Sequence, residues 1–136
     1  MEGEQDMAWS LGDLGFEMSL TSYVPEIIRN GISKLTTSLL SQRSLSMSDI
    51  SYFAIHPGGK KILESIEQAL GLTKEQNHFS YQVLKDYGNM SSPTVLFVMN
   101  EILKTLNQSD HGKRILSFAF GPGLTLESMV LDIEIR

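Results

Sequence analysis

Between Asp6 and Leu20 apolar and polar residues alternate loosely, with Trp9 and Leu11 before Gly12-Asp13 and Phe16, Met18 and Leu20 after it. That pattern predicts a β-hairpin. From Val24 the period changes: Val24, Ile28, Ile32, Leu35 and Leu39 recur at three and four residues, behind a Thr21 or Ser22 cap and with Pro25 in the first turn, which predicts a helix to about Leu40. The Ser-rich stretch 41–48 reads as a loop. Ile50 to Ile55 is rich in β-formers and stops at His56-Pro57-Gly58-Gly59, a buried strand ending in a turn. Lys60 to Leu70 carries Ile62, Leu63, Ile66, Ala69 and Leu70 on one helical face and ends at Gly71, a C-cap. A short helix follows over 80–86 and is broken at Tyr87-Gly88-Asn89. Another starts at Ser91 or Ser92 with Pro93 and runs to about Leu106. Its apolar residues cover most of the circumference, which predicts burial on nearly all sides. After the polar loop 107–113, Arg114 to Phe120 and Leu124 to Ile135 predict a second hairpin, with Met129, Leu131, Ile133 and Ile135 alternating against Val130, Asp132 and Glu134.

The order of elements predicts an α/β domain, and 136 residues suffice for one core that buries about two-thirds of the unfolded surface. Sixteen Asp and Glu against 11 Lys and Arg give a net charge of −5, and no cationic cluster exceeds Lys60-Lys61, which argues against a nucleic-acid partner. The opening MEGEQDMAWS is acidic and lacks an apolar run, and no later stretch approaches the ~20 apolar residues of a membrane span, so a cytoplasmic protein without membrane contact is expected. With no cysteine, the chain offers no disulfide, thiolate metal site or thiol nucleophile of its own.

Five of the 11 glycines fall in three segments, 56–59, 87–93 and 120–123, each at the end of a strand or the start of a helix. Such ends can gather at one edge of an α/β sheet, where ligands bind. Taken singly, His56 reads most simply as a hydrogen-bonded structural histidine, Asn89 as a turn residue and Gly121-Pro122-Gly123 as a β-turn. Gly58-Gly59-Lys60-Lys61 lacks the Walker spacing and its Ser or Thr, although the basic pair could touch a phosphorylated cofactor. The three histidines, His56, His78 and His111, are far apart in sequence, so no metal is expected. Serine hydrolysis lacks the GxSxG elbow.

Three runs add a resemblance. Phe53 to Gly59 (FAIHPGG), Val83 to Ser92 (VLKDYGNMSS) and Phe118 to Glu127 (FAFGPGLTLE) resemble, in order and interval, the signatures of the C-terminal domain of chalcone and stilbene synthases, the type III polyketide synthases. Weaker similarity extends through Leu14-Gly15-Phe16 and Val24-Pro25, so that it covers the chain from about Trp9 onward. The resemblance implies a thiolase-like fold of α-β-α layers, with residues 1–136 as a single C-terminal half in which helices pack on a mixed sheet. It also implies a homodimer that joins malonyl-CoA to an acyl-CoA starter, with CoA thioesters as substrates and no cofactor. Of the family's Cys-His-Asn triad, His56 and Asn89 match the last two, and the cysteine belongs to an N-terminal half absent from this chain. The chain alone is then expected to be inactive.

The same resemblance places Phe120, Gly121, Pro122 and Gly123 at the loop shaping the cyclisation pocket, with Ala119 where the family usually has glycine. Met18 falls at a gatekeeper position, Trp9 at a usual glycine, and Ser91 beside Asn89 in the pocket. Gly59, Lys60 and Lys61 fall near the CoA tunnel, and Pro93 replaces a small residue. An initiating ketoacyl carrier-protein synthase shares the His and Asn roles but usually has Gln-Ala-Asn after the histidine, where this chain has Pro57-Gly58-Gly59, and a third glycine where it has Pro122. A non-catalytic half-thiolase that binds a partner or an acyl-CoA is the reading from a different class, and it predicts self-association through an unpaired apolar face.

Overall fold

The computed structural model describes residues 7–12, 15–20, 24–121 and 125–136, with side chains from residue 27 onward. Strands β1 (Met7–Gly12) and β2 (Gly15–Leu20) form the expected antiparallel hairpin, in which Trp9 lies opposite Met18. Its tip, 13–14, lies outside the described residues. Helix α1 (Val24–Gln42) runs past Leu40 into the Ser-rich stretch. It is closed where the Leu40 carbonyl accepts the Arg43 and Leu45 N–H groups and Ser44 turns left-handed at φ 52°.

The core sheet has the order β3 (Tyr52–Ile55), β4 (Arg114–Gly121), β5 (Thr125–Asp132), parallel in the first pair and antiparallel in the second. Between β3 and β4 come α2 (Lys60–Leu70), α3 (His78–Tyr87) and α4 (Thr94–Thr105). Gly71 ends α2 as expected, at φ 67°, where a side chain would clash with its own backbone. Helix α3 begins two residues before the predicted start.

Strand alternation divides the core in two. Phe53, Ile55, Leu116 and Phe118 point to one face and bury Ile28 and Ile32 of α1 with Ile62, Leu63 and Ile66 of α2. Ala54 and Ile115 point to the other and meet Phe79 and Val83 of α3 with Val98 and Ile102 of α4. The result is the expected mixed sheet between helical layers. Complete burial of a side chain such as Leu63 or Ile66 stabilises the fold by about 2 kcal/mol.

Two expectations fail. Helix α4 is not buried all round: Thr94, Val98 and Ile102, four apart, face the sheet, whereas Leu96 and Leu103 are 67% and 53% exposed because no described element covers that side. Strand β5 ends at Asp132, short of the expected Ile135. Pairing of Leu116 with Val130 and Phe118 with Ser128 turns Leu126 and Val130 into the first core, so Met129 and Leu131 lie on the opposite face, beyond the cover of α4. A groove of about 570 Å³ there is lined by Met99, Leu103, Leu106, Leu131, Ile133 and Ile135, among others.

Candidate active site

His56 follows β3 and is fixed by that strand's partner, its backbone N–H donating to the Phe118 carbonyl at 2.9 Å. Only 4% of the residue is exposed, and its ring meets Phe120 edge-on with centroids 6.2 Å apart. Burial pushes the imidazole below its ordinary pKa, because the charged form loses its water. At neutral pH the ring is an uncharged donor and acceptor.

The chain then reverses through Pro57 and Gly58, whose N–H donates to the His56 carbonyl at 3.0 Å. Space is tight at Gly58: a Cβ would stand 3.0 Å from Ile62 Cδ1 and 3.7 to 3.9 Å from the His56 ring atoms Cδ2 and Nε2. The Gly59 carbonyl accepts the Ile62 and Leu63 N–H groups and so opens α2. Lys60 and Lys61 project into solvent, Lys60 with a loose 3.7 Å ion pair to Glu64 that contributes little.

Asn89 arrives from the other side. Helix α3 stops when Gly88 adopts φ 72° with ψ −167°, a region open essentially to glycine alone. The Asn89 amide is held at both ends: Oδ1 accepts the Ser91 N–H at 2.9 Å, and Nδ2 donates to the Gly58 carbonyl at 3.3 Å. Ser91 itself has φ 66°, and the buried Thr94 hydroxyl accepts from Met90 N–H at 2.9 Å and donates to the Ser91 carbonyl at 2.6 Å.

His56, Gly58, Asn89, Ser91 and Phe120 therefore gather at the ends of β3 and β4, as the clustering of glycine-containing segments suggested. Lys60 and Lys61 stand on the adjoining first turn of α2, and Gly121 ends β4. Met18 has a backbone position in β2, but its side chain, like Pro122 and Gly123, lies outside what is described. Among the described residues no three His, Cys, Asp or Glu side chains form a metal-binding group, and no helix is long and apolar enough to cross a membrane.

Sequence reasoning missed the Gly58 carbonyl as the meeting point, since it joins residues 31 apart. It also missed Thr94, whose signal was a hydroxyl set at the head of an otherwise apolar run. A third omission is the clamp between helices: Glu67 of α2 accepts from Asn77 at 2.9 Å and from the Tyr81 hydroxyl of α3 at 3.1 Å. It ties the helix that follows His56 to the helix that precedes Asn89.

Residues 1–134 match the family model for chalcone and stilbene synthases, C-terminal domain. The α-pyrone synthesis polyketide synthase-like protein Pks18 of Mycobacterium tuberculosis is 38% identical over 122 residues, 88% of this chain and 30% of that protein. Among solved structures, PKS-I from the brown alga Ectocarpus siliculosus superposes with a TM-score of 0.88 at 33% identity, over 97% of this chain and 36% of that one. The C-terminal type III polyketide synthase domain of Steely1, a type I/III hybrid from Dictyostelium, gives 0.85 at 34%, over 98% and 38%. The chain thus spans about a third of the length of these relatives.

Proposed function

Because this chain belongs to the chalcone and stilbene synthase family, as a C-terminal domain of the thiolase-like type III polyketide synthases, we propose that it forms part of an enzyme that decarboxylates malonyl-CoA and condenses the product onto an acyl starter. The observation that carries this reading is the meeting of two uncharged donors at one glycine: the Asn89 amide on the Gly58 carbonyl, and the buried His56 ring within van der Waals reach of a Cβ built there.

Loss of CO2 from malonyl-CoA leaves the C–C electron pair on the thioester as an enolate, with the negative charge on its oxygen. A donor fixed where that charge develops stabilises the transition state more than the ground state. The remaining Asn89 Nδ2–H and one His56 ring N–H are such donors, and loss of either should cost about 3 kcal/mol of barrier. The acyl carrier is a thiol, which this chain lacks and another part of a longer protein would supply. A thiolate placed against the His56 ring would raise its depressed pKa, and the resulting imidazolium would hold the sulfur ionised. CoA thioesters are the substrates in this reading, with the ammonium groups of Lys60 and Lys61 near the phosphates of CoA.

The partner is the N-terminal portion of the same protein, within a homodimer. Exposed Leu96, Phe97, Leu103, Met129 and Leu131 favour it, since an apolar surface of that extent is the kind that another structural layer covers. In the full-length enzyme, His56→Ala and Asn89→Ala should each lower release of labelled CO2 from malonyl-CoA by roughly 10²- to 10³-fold. Unchanged release in either variant removes that residue from the site.

A further inference from the structure

We infer that Thr94 is a positioning residue that sets the orientation of the Asn89 amide, and so governs the decarboxylation step without touching substrate. The inference rests on the role proposed above for Asn89. Thr94 is completely buried at the head of α4, while Asn89, Ser91, Ser92 and Pro93 are all exposed. Its single hydroxyl serves the loop twice, accepting the Met90 N–H at 2.9 Å and donating to the Ser91 carbonyl at 2.6 Å, and its own N–H reaches the same carbonyl at 3.0 Å.

Those contacts hold Ser91 in its left-handed conformation, one of two such non-glycine positions among the described residues. Ser91 N–H is thereby aimed at Asn89 Oδ1. The consequence is chemical. An amide side chain can rotate by half a turn and exchange its oxygen for its nitrogen with little change of shape, and only its partners decide between the two. With Ser91 N–H as donor on one side and the Gly58 carbonyl as acceptor on the other, the NH2 end faces the His56 turn. Rotated, the site would present an acceptor oxygen to a developing enolate. Thr94 therefore transmits the rigidity of α4, whose Val98 and Ile102 are locked in the core, to a side chain on an exposed loop.

A hydroxyl that merely started a helix would affect stability and leave turnover per folded molecule alone. The test is malonyl-CoA decarboxylation by the full-length enzyme. Thr94→Val keeps the shape and removes both hydroxyl bonds, and it should lower kcat at least tenfold with KM within twofold. Thr94→Ser keeps the hydroxyl and should stay within threefold of wild type. Asn89→Ala combined with Thr94→Val should be no slower than Asn89→Ala alone, because Thr94 acts through that amide. Wild-type kcat in folded Thr94→Val, or a further tenfold loss in the double variant, overturns the inference. If Thr94→Val fails to fold, Thr94→Cys, with a thiol too weak for both bonds, takes its place under the same criteria. Asn89→Ala measured alone separates the two claims: inactive Asn89→Ala with active Thr94→Val removes only the positioning role, whereas active Asn89→Ala removes both.

Discussion

Replacing Gly58 with alanine should damage packing and chemistry together, and the damage should be reversible at a second site. The new Cβ would lie 3.0 Å from Ile62 Cδ1 and at ordinary contact distance, 3.7 to 3.9 Å, from the His56 ring. Gly58 does not occupy the left-handed region, so backbone strain adds nothing. Ile62 cannot retreat with its backbone, because its N–H is tied to the Gly59 carbonyl at 3.1 Å in the first turn of α2. It must leave its rotamer or push the turn outward, and overpacking of this kind costs about 1 to 2 kcal/mol. An outward shift moves the carbonyl on which Asn89 rests, so kcat should fall by roughly tenfold or more. Removing the obstructing methyl with Ile62→Val costs about 1 kcal/mol alone. In Gly58→Ala combined with Ile62→Val the clash is gone, so the double variant should be more stable than the summed singles by about 1 kcal/mol and should recover most of the turnover. Denaturant unfolding and CO2 release, measured on wild type, both singles and the double, check this. Strict additivity in both assays would refute the account of Gly58.

Asp110 is held down to about 2, first by the Lys113 ammonium, then by the Tyr52 hydroxyl and the Asn107 N–H. Its folded pKa lies below the ordinary 3.8, so its stabilisation is present above that value and lost as pH falls towards 2. Asp110→Asn should be less stable at neutral pH, with a flatter acid-unfolding curve between pH 4 and 2; a curve parallel to wild type contradicts the assignment. For His56 the depressed pKa favours the neutral ring, which makes the corresponding stability full above 6.5 and eroded on acidification. Its ring resonances should titrate with a midpoint below 6.5, and a midpoint at or above that rules out burial as the dominant influence. Leu103→Glu changes a side chain already 53% exposed in this domain, so the domain's own packing should not suffer. In the full-length enzyme it should weaken attachment of the remainder of the protein, seen as earlier proteolysis between them, and wild-type resistance would show that this face stays uncovered.

Helix α2 was legible to the residue, because its 3.6-residue period and terminal Gly71 are both local signals. The hairpins were legible as elements, though not to the residue, since alternation is read within a few positions. Helix α4 was misread because hydrophobicity records that a surface avoids water without recording what covers it. Leu96 and Leu103 look like core residues in the sequence and face outward, while Ser128 faces inward because register with β4, not composition, decides the face. His56 and Asn89 were singled out as candidates through the motifs that carry them. Their relation was not, since the Gly58 carbonyl, the Ser91 backbone and the Thr94 hydroxyl contribute bonds that residue identity alone does not announce.

The parallel pairing of β3 with β4 has a bearing on how the site comes into being. Ser117 bonds to the Ala54 carbonyl across 63 residues of chain, and His56 is pinned by Phe118 in the same ladder. Every residue of α2, α3 and α4 must therefore be threaded through one crossover before the histidine has a fixed address. Closing a loop of that length carries an entropic penalty that local helix formation cannot offset in advance. During synthesis, β4 emerges only after α2, α3 and α4. A nascent chain that has formed α1, α2, α3 and α4 but not β4 still lacks the strand that fixes His56, so the site requires the pairing of β3 with β4.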